Sequence, residues 1–232
     1  TSKAIQVASN DEIKALGFDD HRLQRVREKI VSDIEIGSCH GVSMIAARKG
    51  KVVLDIVEGY AHKENGEMLT SDSVFVTMSV AKQFTNVLAL SLVEKGLLKL
   101  HAPVAELIPE FATLGKEKVN LYHLLTHTSG IMSAVPPVAP EILANIEKLL
   151  EFACGLPLEN QPGERVNYAI LLGHSIIAAL CLRAAGNGRS YAQMLSEEIF
   201  QPLGMTNTSL GPRDDLMGRV CPVKVSYKDI PA

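Results

Sequence analysis

The chain has 232 residues, 23 of them Lys or Arg and 26 Asp or Glu, for a formal net charge of −3. That length can bury a full hydrophobic core as one large domain or two small ones, which excludes a peptide or a stapled mini-protein. A 47% hydrophobic and 21% charged composition is ordinary for a soluble globular protein. No run approaches the roughly 18 apolar residues of a membrane span, and no basic patch offers nucleic acid a footprint.

The four cysteines, Cys39, Cys154, Cys181 and Cys221, are far apart, lack C-x-x-C spacing and mostly sit beside apolar residues. This predicts buried thiols rather than a metal site or disulfides. The stretch after Thr1 lacks the basic, apolar, small-residue pattern of a leader, so either none was there or it was removed, and the expectation only leans to the cytoplasm.

In chain order, Asp19 or Asp20 caps a helix in which Leu23, Val26, Ile30 and Ile34 recur at helical spacing. That helix is expected to lie on a sheet. The first hairpin is two β-rich runs, 42–48 and 51–58, joined at Lys49-Gly50, with Gly59-Tyr60-Ala61 closing the second strand. A turn-rich stretch at 63–66 follows, and near Met78 the pattern changes to helices. Phe84, Val87, Leu88, Leu92 and Val93 keep helical spacing until Gly96, which is placed as a C-terminal cap. Leu121 to Leu125 predict a short helix, and 141–153, 169–185 and 190–200 three more, separated by Pro- and Gly-bearing loops at 133–140 and 157–163. The expected fold class is α+β, an antiparallel sheet flanked by helices plus a helical region. Residues 1–76 hold the N-terminal helix and hairpin, and 77–232 the mainly helical part.

Three segments could carry chemistry. In Met78-Ser79-Val80-Ala81-Lys82 a serine at the first turn of an apolar helix precedes a lysine by three residues, so both side chains share a face. Serine is a poor nucleophile without a neighbouring base, and a neutral lysine can be that base. Roughly one Ser-x-x-Lys occurs by chance in a chain this long, so the pair alone also fits a helix cap beside a solvated lysine. Tyr168, where a loop turns into the helix expected from Ala169, could pass a proton; the structural alternative is an aromatic packed at a helix start capped by Asn167. His123 and His127 are four apart, the spacing of two zinc ligands. The glutamate of H-E-x-x-H is absent and no third ligand suggests itself, which favours polar residues bracing a loop.

Four segments together resemble the serine β-lactamase-like superfamily in order and approximate spacing. They are Ser79-Val80-Ala81-Lys82-Gln83-Phe84-Thr85, Leu124-Leu125-Thr126-His127-Thr128-Ser129-Gly130-Ile131, Pro162-Gly163 with Tyr168, and Pro202-Leu203-Gly204-Met205. The superfamily holds AmpC-type β-lactamases, D-alanyl-D-alanine carboxypeptidases, D-aminopeptidases, carboxylesterases and acyltransferases. The resemblance implies its β-lactamase/transpeptidase-like fold, Ser79 as acyl-accepting nucleophile, Lys82 as base, Tyr168 as proton relay, and His127 as a loop-shaping residue. It also implies a small-molecule ester, amide or acyl substrate, with no cofactor and no metal.

Two departures shape the expectation. The family's tyrosine motif often reads Tyr-x-Asn, but Ile170 occupies the Asn place and cannot hydrogen-bond a substrate amide. This argues for small carboxylic esters over lactams and peptides. The family's third element, a Lys-Thr-Gly or similar triplet on a strand, is absent before Ala232. The C-terminal strands of the sheet are therefore expected to be missing from this chain, leaving an open edge that a further segment or second polypeptide would complete. An acyltransferase, a β-lactamase or D-amino peptidase, or a catalytically silent binding protein are the alternatives. The loops at 133–140 and 156–163 are expected to border the pocket.

Overall fold

The computed structural model describes residues 5–134 and 137–224. The part of the 133–140 loop formed by Val135 and Pro136 lies outside them. The chain divides into two compact units, Thr1–Val76 with Arg213–Ala232, and Thr77–Pro212.

The first unit opens with a short helix, α1 (Asn10–Ala15). Ser9 and Glu12 form its capping box, a start that the polar composition of this stretch conceals. Helix α2 (Asp20–Glu35) begins where predicted, with the Asp19 carboxylate accepting from Arg22 N–H at 3.0 Å. Strands β1 (Gly41–Arg48) and β2 (Lys51–His62) pair antiparallel from Gly41 opposite Gly59 to Arg48 opposite Lys51. Lys49 and Gly50 both have positive φ, 50° and 75°, the twist that lets a two-residue turn join right-twisted strands. At Gly59 (φ 84°) a Cβ would stand 2.5 Å from the His40 carbonyl and 3.1 Å from Ile34 Cδ1, so only glycine lets α2 lie this close to β2. The Arg27 guanidinium adds a polar clamp, reaching the Asp55 carbonyl and the Glu58 carboxylate, both at 3.2 Å.

A third strand, β3 (Glu67–Met68), pairs with the end of β2 and completes the order β1-β2-β3. Two residues are too few to leave an alternating pattern, which is why the sequence shows only the turn at 63–66 before them. β1 is an edge of this sheet, and Ile45 on it is 53% exposed.

The second unit holds the large core. A 3-10 turn (Met78–Ala81) leads into α3 (Lys82–Glu94), whose buried Thr85, Leu88, Ala89 and Leu92 lie on one face at i, i+3, i+4, i+7. Gly96 follows with φ 73°, as a helix-ending glycine should. Helix α4 (Leu121–Leu125) is capped by Asn120. The helix expected over 141–153 is two helices, α5 (Pro140–Leu143) and α6 (Ile146–Cys154). Asn145 breaks the run because its side chain accepts from Lys148 N–H and starts α6 anew. Helix α7 (Leu172–Ala185) is the centre of the core: Leu172, Ile176 and Ile177 are fully buried, each such side chain contributing roughly 1.5–3 kcal/mol. α8 (Tyr191–Leu195) continues as a π-helical turn to Phe200, where the Phe200 ring meets Phe84 edge-on at 5.2 Å.

Lys116 is 1% exposed, yet its ammonium donates to the Cys154 and Leu156 carbonyls at 3.0 and 2.6 Å. It thereby satisfies the end of α6. The four cysteines are free thiols, with Cys181 and Cys221 buried. No helix among the described residues is long and apolar enough to cross a membrane.

Candidate active site

Ser79, Lys82 and Tyr168 all lie in the second unit. Ser79 sits in the 3-10 turn, and Lys82 is the first residue of α3. Three residues of helical turn bring the two side chains onto one face, and Lys82 Nζ donates to Ser79 Oγ at 3.0 Å. Met78, directly before the serine, has φ 48°. A left-handed methionine stores on the order of 1–2 kcal/mol of strain, and no residue-type rule would have flagged it. The turn leaves Ser79 exposed and Lys82 half-buried.

Tyr168 is delivered by two loops stitched to each other. The His127 carbonyl accepts from Asn167 N–H at 2.7 Å, that of Thr128 from Gly163 N–H at 2.7 Å, and that of Gly130 from Glu159 N–H at 2.8 Å. Ser133 Oγ then donates to the Tyr168 carbonyl at 2.8 Å. The stretch Thr126 to Gly130 and the stretch Pro162 to Tyr168 are thus two halves of one device. Asn167 is not a helix cap: its amide donates to the Ile131 carbonyl and the Glu159 carboxylate. With that side chain engaged between loops, α7 starts at Leu172 rather than Ala169.

Gly130 makes the close approach possible, since at φ 77° a Cβ would stand 2.0 Å from the Asn160 carbonyl oxygen. Gly130→Ala is expected to cost about 2 kcal/mol or more from the left-handed conformation and the backbone clash. A fall in the denaturant midpoint checks this.

The neighbouring Ser79 hydroxyl first, then Lys82 and its charge, hold the Tyr168 phenol below the ordinary tyrosine value. Lys82 Nζ also stands 5.2 Å from the Tyr168 ring centroid. Behind the ring lies His127, in the left-handed region at φ 55°, with ring centroids 4.7 Å apart. Behind His127 in turn lies His174 of α7, at 5.4 Å. Burial first, then the Lys82 charge, lowers the pKa of His127. His174, only 8% exposed, is pushed down to about 4 by burial, His127 and Lys82.

His174 and its partner Asn86 are not singled out by the sequence, where one histidine in an apolar helix reads as core. The His123 and His127 pair does not share a helix face, because α4 ends at Leu125 and His127 lies beyond it. His127 turns to Tyr168 and His174, whereas the His123 ring neighbours Tyr122 at 6.2 Å. Among the described residues no group of three His, Cys, Asp or Glu side chains could hold a metal ion.

Ile170 and Val166, on either side of Tyr168, are 57% and 74% exposed. A surface cavity of about 550 Å³ lies elsewhere, lined by Ile142, Lys148, Glu151, Phe152, Gly155 and Leu156 and by none of the three candidate residues. Leu156 alone connects it with the loops expected to border the site.

A helical unit carrying a Ser-x-x-Lys turn with a tyrosine facing it, and a small antiparallel sheet, are the parts of a β-lactamase-type fold. The family model for beta-lactamase matches residues 26–221, and the chain belongs to that family. It is 30% identical over 182 residues to Esterase EstB of Burkholderia gladioli, covering 71% of this chain and 45% of the relative. It is 28% identical over 169 residues to Penicillin-binding protein 4 of Amycolatopsis lactamdurans, covering 72% and 44%. Among solved structures, a family VIII carboxylesterase superposes with a TM-score of 0.76 at 26% identity, covering 86% of this chain and 54% of that one. The chain spans about half the length of these relatives.

Proposed function

We propose that the protein is a serine hydrolase that forms an acyl-enzyme on Ser79 and cleaves small carboxylic esters. The observation that carries this reading is the Lys82 Nζ to Ser79 Oγ hydrogen bond of 3.0 Å, with the Tyr168 phenol held low beside both. Ser79 Oγ attacks the ester carbonyl carbon while its proton passes to the Lys82–Tyr168 pair. The tetrahedral oxyanion then re-forms its carbonyl and expels the alkoxide, which takes the proton from the pair and leaves as the alcohol. Water repeats the sequence on the acyl-serine, releasing the carboxylic acid and restoring Ser79. The Ser79 N–H, at the start of its helical turn, is one oxyanion donor.

Esters are favoured over amides because the exposed Ile170 offers a substrate amide no hydrogen bond, and an apolar side chain there suits an acyl chain. The Burkholderia relative is an esterase and the superposed structure a carboxylesterase, which agrees with that choice.

Incubating the protein with a short-chain p-nitrophenyl ester tests the proposal. The expected result is nitrophenol release with a transient acyl mass adduct that peptide mapping locates on Ser79. A folded protein that releases nothing and takes up no acyl group would overturn it.

A further inference from the structure

The contacts behind Tyr168 close into a ring. Lys82 faces the Tyr168 ring, Tyr168 packs on His127, and His127 packs on His174. His174 Nε2 lies 2.9 Å from Asn86 Oδ1, and Asn86 is four residues, about one turn, beyond Lys82 on α3. A carboxamide oxygen only accepts, so His174 Nε2 carries the hydrogen and donates it. Its Nδ1, buried and without a hydrogen-bond partner, is then a bare lone pair, and a second proton there would have no acceptor.

We propose that His174 is a positioning residue for the Ser79, Lys82 and Tyr168 site, locking α3 to α7 through its hydrogen bond to Asn86 and so fixing Lys82 against Tyr168. The inference rests on the reading of Ser79 as nucleophile. Tyr168 precedes His174 by six residues and Lys82 precedes Asn86 by four, so the bond lies close behind both reacting groups. The apolar packing of the shared core, to which Leu88 and Leu92 of α3 and Ile176 and Ile177 of α7 all belong, is non-directional and tolerates sliding. A partly buried hydrogen bond of 2.9 Å is directional and does not. The neutral imidazole also keeps a second positive charge away from Lys82.

The test compares wild type with His174→Ala, His174→Gln, His174→Asn and Asn86→Ala, measuring the rate at which a fluorophosphonate labels Ser79 and the thermal midpoint of each. His174→Ala and Asn86→Ala are expected to slow labelling on the order of 10- to 100-fold, the scale of a small misplacement of catalytic groups. A glutamine places its amide N–H near the imidazole Nε2 position and is expected to restore the rate to within about threefold of wild type. An asparagine reaches only the Nδ1 position and is expected to behave like alanine.

Rates that follow the thermal midpoints regardless of the donor, or variants that label as fast as wild type, would overturn the proposal. If His174→Ala does not fold, Asn86→Ala breaks the same bond from the α3 side and decides alone. A second readout needs no activity. The Tyr168 phenol, followed by NMR and assigned with Tyr168→Phe, is expected to titrate higher in His174→Ala but not in His174→Gln. No shift in either overturns the inference. A wild-type protein that takes no label would instead sink the esterase reading, so the two failures separate.

Discussion

Lys82→Ala is expected to slow acylation of Ser79 by roughly 10²- to 10⁴-fold, the usual contribution of a positioned proton-transfer group, while leaving the fold intact. The lysine does two things in this site. Its Nζ holds Ser79 Oγ at 3.0 Å, and with Ser79 it lowers the Tyr168 phenol. Removing it withdraws a partner that stabilises the phenolate, so the Tyr168 pKa is expected to rise. The rate is then expected to show its rising limb at higher pH than in wild type, because more alkaline solution is needed to deprotonate the remaining acceptor. Lys82→Arg separates charge from proton transfer. An arginine keeps the cation but does not deprotonate in proteins, so a deep loss in both variants assigns the effect to the proton. Recovery in the arginine variant would reduce Lys82 to an electrostatic prop. The rate constant for nitrophenol release and its pH profile check both.

Local signals made parts of this site legible in the sequence. Ser-x-x-Lys spacing is a property of one helical turn, and Gly130 and Gly163 announce the loops that deliver Tyr168. The hairpin was equally local, since Lys49-Gly50 between β-rich runs specifies its own turn. The features that did not show have causes at longer range. Strand β3 exists because β2 offers it an edge. α7 starts late because Asn167 bonds across to Ile131 and Glu159 instead of capping its own helix. The left-handed Met78 is held by its surroundings against its own preference. The Asn86 to His174 bond spans 88 positions, and no periodicity in either helix points to it. A buried histidine in an apolar helix becomes informative only when its neighbour across the core is known.

The same burial makes the protein acid-sensitive, and the expected size is large. His174 takes up a proton near its ordinary value of 6.5 in the unfolded chain but only at about 4 when folded. Between those values the unfolded state binds more protons, so stability rises with pH across that window. The contribution is intact above pH 6.5 and is lost as the pH falls toward 4, reaching about 3 kcal/mol. His127 and His123, both lowered chiefly by burial, act in the same direction. Denaturant midpoints measured from neutral to acid pH on wild type and His174→Gln isolate the His174 share. The glutamine variant is expected to keep the Asn86 bond without a titrating ring, so the difference between the two stabilities should shift in its favour by about 3 kcal/mol on acidification. A difference that stays flat with pH would mean that His174 is hydrated enough to protonate in place. A hydrated His174 would also weaken the case for its bond to Asn86 as the lock between α3 and α7, because water would then compete for the same donor.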